Sequence, residues 1–258
     1  MRGRRGPPAA AVSVRPAIVE TRPTVPSTLH PDPIQTDQLL KRTTMLNSLA
    51  RSSVSKVMDP LGRGLLRAGL SPDLVTVIGT VGVVAGSVTL LATGYLLAGT
   101  MVVTLFVLFD LVDGAMARAR GHGTDFGVVL DASCDRIADG ALFGALTYYA
   151  FTSDQRLLGV AALICLVTGQ VISYVKARAD SVQLIIGGAL AERAERNVLG
   201  LVGAGLSGLG VPHAVDVGLW LLAAAGLITV VQRLVQVRRA AVKAATEPGP
   251  RGTGRPAL

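Results

Sequence analysis

From Leu74 to Phe109 the chain carries no charged residue. A helix that crosses a bilayer needs about 20 apolar residues, so this run holds most of two such helices, and Gly94 marks the expected turn between them. The second continues to about Arg118. Four further apolar segments follow, at about Gly127 to Ala150, Leu157 to Val175, Asn197 to Leu209 and Val217 to Val231. The sequence therefore predicts an all-α integral membrane protein with six transmembrane helices, the fifth short and rich in glycine.

Composition agrees with this. Half of the chain is hydrophobic and only 16% is Asp, Glu, Lys or Arg, against roughly 25% in soluble proteins. So little polar surface excludes a water-soluble globule, and so much apolar sequence excludes disorder for most of the chain. The two cysteines, Cys134 and Cys165, lie inside apolar segments and read as small apolar fillers rather than a disulfide framework. Residues 1–51, rich in Pro, Arg, Thr and Ser and without hydrophobic period, read as a flexible tail with no signal peptide. The expected membrane domain is 52–239, and 240–258 form a second flexible tail, Gly/Pro/Arg-rich from Glu247 onward.

The formal charge of +8 suits nucleic acid, anionic lipid or an anionic substrate, and the placement of the basic residues decides between them. Arg51, Lys56, Arg63, Arg67, Arg118, Arg120, Arg233, Arg238 and Arg239 all flank spans on the side of the tails, whereas the opposite loops hold only Arg156. Positive residues mark the cytoplasmic face. The expectation is a multi-pass protein of the plasma membrane with both termini inside, binding membrane lipids and no nucleic acid. Ahead of the first span, Val54, Met58, Leu61, Leu65 and Leu66 recur at helical spacing among Lys56, Arg63 and Arg67, as in an amphipathic juxtamembrane helix lying on an anionic surface. A loop is the other reading.

Ionisable groups within spans are costly and are functional candidates by default. Asp110 and Asp113 lie three apart near the end of the second span, and Asp131 and Asp135 lie four apart near the start of the third, so each pair shares a helix face. A hairpin through Ala119 to Phe126 brings the pairs to similar depth. Four carboxylates converging at low dielectric require a cation, and hard oxygen donors suit Mg²⁺ above all. Salt bridges to Arg118, Arg120 and Arg136 are the structural alternative. Gly114, Gly123 and Gly127 would let backbone approach a bulky ligand. Asp139 continues the acidic stripe without an evident role.

Read together, Asp110-x-x-Asp113-Gly114-x-x-Ala117-Arg118, eight residues, Gly127, three residues, Asp131, three residues, Asp135 matches every fixed position of the motif of the CDP-alcohol phosphotransferase family, which the chain resembles from about Ser52 to Arg239. The resemblance implies transfer of a substituted phosphate from a CDP-linked lipid to an alcohol, with release of CMP. It implies that Asp110, Asp113 and Asp131 hold two metal ions, Mg²⁺ with Mn²⁺ as the other candidate, and that Asp135, beside them, also acts as the base. Arg118 would hold the diphosphate while Gly114 and Ala117 make room for the nucleotide. Ser71-Pro72-Asp73-Leu74-Val75-Thr76 is similar to the family's start of the first span, where Asp73 and Thr76 would face the cytidine. Family members are generally homodimers, and the same is expected here.

The acceptor alcohol must be read elsewhere. Ser173, Lys176 and Arg178 end the fourth span, and Arg193 and Arg196 open the fifth on the same face. Two arginines at i and i+3 suit a phosphate dianion, although positive-inside anchoring also gathers such residues. Cys-Asp-Arg-Ile-Ala-Asp-Gly, Ile-Ser-Tyr-Val-Lys-Ala-Arg-Ala and Glu-Arg-Ala-Glu-Arg resemble those actinobacterial members that join CDP-diacylglycerol to myo-inositol 1-phosphate. Members using glycerol 3-phosphate share the aspartate motif. A cation transporter would also bury acids, but it leaves Arg118 and the glycine spacing unexplained.

Overall fold

A computed structural model describes residues 58–120, 123–188, 190 and 193–246, with the side chain of Asp110 outside that set. Every regular element among the described residues is helical. Residues 58–67 form α1, followed by α2 (Pro72–Gly86), a single π-helical stretch (Ser87–Leu91), α3 (Leu96–Val107), α4 (Phe109–Ala119), α5 (Asp125–Thr152), α6 (Arg156–Ser181), α7 (Arg193–Gly208) and α8 (Ala214–Thr246).

Each apolar run of the sequence is found as helix, and the helices run further because their polar ends continue into the flanks. Four stretches are long and apolar enough to cross a membrane: Pro72–Leu91, Leu96–Ala119, Arg156–Ser181 and Ala214–Thr246. The chain is therefore a membrane protein. The remaining two runs differ for identifiable reasons. The first fifteen residues of α5 carry Asp125, Asp131, Asp135, Arg136 and Asp139, and α7 is only 16 residues long. Helix α8 continues past Arg239, where the membrane domain was expected to end, to Thr246. The expected N-terminal tail, 1–51, and residues 247–258 of the expected C-terminal tail, 240–258, lie outside the described residues.

The chain turns at Gly94, with φ +88, a left-handed conformation that glycine adopts without steric cost. The second expected span is not one uninterrupted helix. It breaks at Leu108, between α3 and α4, where the Leu111 N–H bonds the Leu108 carbonyl three residues back. Here α2 lies close against both helices. A Cβ on Gly79 would lie 3.0 Å from the Phe109 Cβ, and one on Gly82 would lie 2.2 Å from the Phe106 ring. The two rings, 5.5 Å apart, fill the slots that these glycines leave.

Association of helices in lipid depends on such small-residue contacts. Gly82→Ala should thus lower the unfolding midpoint of the detergent-purified protein, overpacking costing about 1–3 kcal/mol. Phe106→Leu in the same chain should restore part of it, and an unchanged midpoint for Gly82→Ala would show that the ring swings aside freely.

Helix α5 packs on α6, α6 on α8 and α8 on α7, while α2 packs on α5 and α3 on α7 to close the bundle. The core runs through Leu91, Val103, Leu142, Phe143, Cys165 and Leu219. Both cysteines are buried and unlinked. A smaller cluster, Val75, Val112 and Met116, receives Met58, Leu65 and Leu66 from α1, and Gly62 lies so close to α4 that a Cβ there would sit 3.0 Å from the Met116 nitrogen. Arg63 and Arg67 are exposed, as is Leu61, which had been expected on the apolar face. Val54 lies outside the described residues.

Candidate active site

Three helix ends meet where the aspartates lie. Helix α2 starts at the Ser71 cap, whose hydroxyl accepts the Leu74 N–H at 3.2 Å, with Pro72 at its first turn. Helix α5 starts in the same way at Thr124, which accepts the Gly127 N–H at 2.9 Å. Helix α4 ends at Ala119, so the turn into α5 falls within the hairpin expected from the sequence. Gly127 is needed for the approach of α2 to α5, because a Cβ there would lie 3.3 Å from Asp73 Oδ1 and 3.0 Å from Thr124 Oγ1.

Between these ends lies a cavity of about 160 Å³, lined by Asp73, Thr76, Asp113, Gly114, Ala117 and Asp131, among others. Asp113 is 7% exposed. The Thr76 hydroxyl donates to Asp113 Oδ2 at 2.5 Å, a closer acceptor than the Pro72 carbonyl at 3.1 Å. Thr76, expected to face a nucleotide, thus also holds a carboxylate in place. Asp110 lies in the first turn of α4. Among the described residues no three acidic, histidine or cysteine side chains converge as a set of metal ligands. What the structure brings together is Asp113 and Asp131 on one cavity, and Asp113 and Asp135 on a second, smaller one that also touches Thr76 and Arg193.

Arg118 is largely exposed and lies 3.6 Å from Asp59 of α1. The Arg118 guanidinium also approaches Gly114, where a Cβ would sit 3.5 Å from its Nη1. Arg120, rather than Arg118, lines the larger cavity.

The residues expected to bind an acceptor divide into two groups. Lys176 and Arg178 are exposed near the end of α6. Arg193 is 24% exposed, with its Nη1 2.7 Å from Asp135 Oδ1. Arg196 is 1% exposed and donates through Nη2 to Asp139 Oδ2 at 2.9 Å. Ser173 accepts a hydrogen bond from Arg136 Nη1.

Two residues of this centre had no functional role in the sequence reading, Arg136 and Asp139. Asp139 is buried and bonded from α7 by both Arg196 and Asn197, and Arg136 lies 3.6 Å from it. The one sequence signal available was the acidic stripe continued by Asp139. Its partners lie 57 and 58 residues away on another helix, which no local pattern reveals.

The sequence model of the CDP-alcohol phosphatidyltransferase family matches residues 70–231. A phosphatidylinositol phosphate synthase of Mycobacterium tuberculosis is 55% identical over 190 residues, which is 72% of this chain and 88% of that protein. A phosphatidylinositol phosphate synthase of Streptomyces avermitilis is 43% identical over 222 residues, 81% of this chain and 91% of that one. The crystal structure of the M. tuberculosis synthase with CDP-DAG bound superposes with a TM-score of 0.69 at 52% identity, over 79% of this chain and all of that one. The same synthase has also been solved in complex with manganese and citrate, with a TM-score of 0.68 at 51% identity over 77% of this chain and 93% of that one.

Proposed function

Because the chain belongs to the CDP-alcohol phosphatidyltransferase family, we propose that it transfers the phosphatidyl group of CDP-diacylglycerol to myo-inositol 1-phosphate, releasing CMP. The observation that carries this reading is the meeting of two features at Asp135. On one side lies the cavity shared by Asp113 and Asp131, and on the other the arginine-rich start of α7. A donor diphosphate and a phosphorylated acceptor need two such neighbouring sites.

The donor set fits a hard divalent ion, Mg²⁺ or Mn²⁺. Asp113 and Asp131 present carboxylate oxygens to one cavity, and such oxygens are the ligands these cations select. Asp110, one helical turn before Asp113, and Asp135, across Asp113, complete the candidate set for two ions. When bound, the metal neutralises charge on the diphosphate and lowers the pKa of a nearby hydroxyl.

The remaining work belongs to the chain itself. Asp73, Thr76, Gly114 and Ala117 shape the space for the cytidine, and Arg118 and Arg120 supply positive charge at the mouth for the diphosphate. The inositol phosphate hydroxyl attacks the phosphatidyl phosphorus, the bond from that phosphorus to the CMP oxygen breaks, and Asp135 takes the hydroxyl proton. Arg193 and Arg136, with Ser173 beside them, lie at the acceptor's phosphate, and Lys176 and Arg178 draw the anion toward them from the membrane surface. Six spans, with the tails and the active site on the cytoplasmic side of the plasma membrane, place this chemistry where nucleotides and inositol phosphate are found. The α1 segment lies at the lipid surface ahead of them, and the active form is a homodimer.

The test is CMP release by the purified protein with CDP-diacylglycerol and, in separate assays, inositol phosphate, glycerol 3-phosphate, inositol and serine. Release with inositol phosphate alone is expected, and selective release with another acceptor would overturn the assignment. Thr76→Val should raise the metal concentration for half-maximal activity about 10- to 100-fold, the usual cost of removing a group that orients a ligand. An unchanged metal titration would show that the bond to Asp113 has no such role.

A further inference from the structure

A buried carboxylate surrounded by cations lies where α5 meets the start of α7. Asp139 is 2% exposed. Arg196 Nη2 donates to its Oδ2 at 2.9 Å and Asn197 Nδ2 to its Oδ1 at 3.1 Å, while Arg193 Nε and Arg136 Nη2 each stand 3.6 Å away. Asp135 receives Arg193 at 2.7 Å and Arg136 at 3.9 Å. Among the described residues, two carboxylates thus face three guanidiniums. Removing one partner of such a group is costly because it strands the others without solvent.

Exposure separates their roles. Arg196, at 1%, is packed against Gly169 of α6, where a Cβ would lie 3.1 Å from its Nε, so it has no face for a ligand. Arg193 and Arg136, at 24% and 27%, retain one. Asp139 binds α5 to the first turn of α7 through Arg196 and Asn197, and its second reach is to the two arginines that remain accessible.

We propose that Asp139 is the positioning residue of the acceptor-phosphate site: through Arg196 and Asn197 it fixes the start of α7, and through Arg193 and Arg136 it aims two guanidiniums at the phosphate. It touches no substrate itself. This rests on the reading of the acceptor as phosphorylated. Selectivity for such acceptors then depends on a residue outside the aspartate motif, and Gly169 matters because a Cβ there would press on Arg196 at 3.1 Å.

The test uses the full chain in detergent. Asp139→Asn keeps the size of the side chain and an oxygen acceptor but removes the charge that holds the arginines. It should weaken binding of inorganic phosphate, and raise KM for inositol phosphate, about 10- to 100-fold, the scale of a misplacement near 1 Å, while KM for CDP-diacylglycerol stays within twofold. Asp139→Glu should recover part of the loss, and Gly169→Ala, acting through Arg196 from another helix, should shift the same two quantities in the same direction. Phosphate binding by Asp139→Asn equal to that of the unaltered protein would overturn the proposal. So would an equal loss of phosphate and CDP-diacylglycerol binding, which marks a merely structural carboxylate. If the unaltered protein binds phosphate but releases no CMP with inositol phosphate, the acceptor assignment fails while the phosphate titration still judges Asp139.

Discussion

Asp113→Asn is expected to lower CMP release by about 10³-fold or more, roughly 4 kcal/mol of barrier, with the protein still folded. The substitution is nearly isosteric, and the amide oxygen can still accept the Thr76 hydroxyl now 2.5 Å from Asp113 Oδ2. The junction of α2 and α4 therefore keeps its hydrogen bond. What disappears is an anionic oxygen at 7% exposure on the cavity shared with Asp131. Hard cations select carboxylates over amides where charge must be balanced, so Mn²⁺ affinity, followed by paramagnetic resonance or calorimetry, should fall together with activity. Excess chelator should abolish turnover of the unaltered protein and added Mg²⁺ restore it. Activity within tenfold of normal, or lost activity with Mn²⁺ binding intact, would remove Asp113 from the metal site.

How much of this was legible in the sequence depended on the range of the interaction concerned. The turn at Gly94 and the hairpin after Ala119 rest on neighbours within a few residues, and both were read from local chemistry. The aspartate spacing placed Asp113 and Asp131 on facing helices, and they share a cavity. The break at Leu108 was not legible. It arises where Gly79 and Gly82 of α2 admit Phe106 and Phe109, a contact between elements that no periodicity within the second run encodes.

The acceptor arginines illustrate the same limit. Arg193 and Arg196, one turn apart, looked equivalent as a phosphate clamp, yet α7 turns one toward Asp135 and buries the other against Gly169 and Asp139. Helical spacing fixes that two side chains share a face. It does not fix how deep in the bundle each one ends, which is set by Asp139 on a separate helix.

That difference in depth separates two substitutions which the sequence alone treats alike. Arg193→Ala should raise KM for inositol phosphate about 10- to 150-fold, since a charge-assisted hydrogen bond is worth about 1.5–3 kcal/mol, while KM for CDP-diacylglycerol and the unfolding midpoint change little. Arg193 keeps an exposed face, and Asp135 retains Arg136 at 3.9 Å as a partial counter-charge. Arg196→Ala should lower stability in addition to any shift it passes to the acceptor site through α7. It empties a fully buried volume and withdraws the 2.9 Å partner of a carboxylate that is itself 2% exposed, a loss of about 3–5 kcal/mol for breaking a buried pair. Less folded protein should reach the membrane, and what does should unfold at lower temperature. Measuring both KM values and the unfolding midpoint on each variant checks the division. Equal rises in acceptor KM for the two variants, with equal midpoints, would mean that Arg196 reaches the acceptor after all and that the burial of its guanidinium against Gly169 does not persist in the working enzyme.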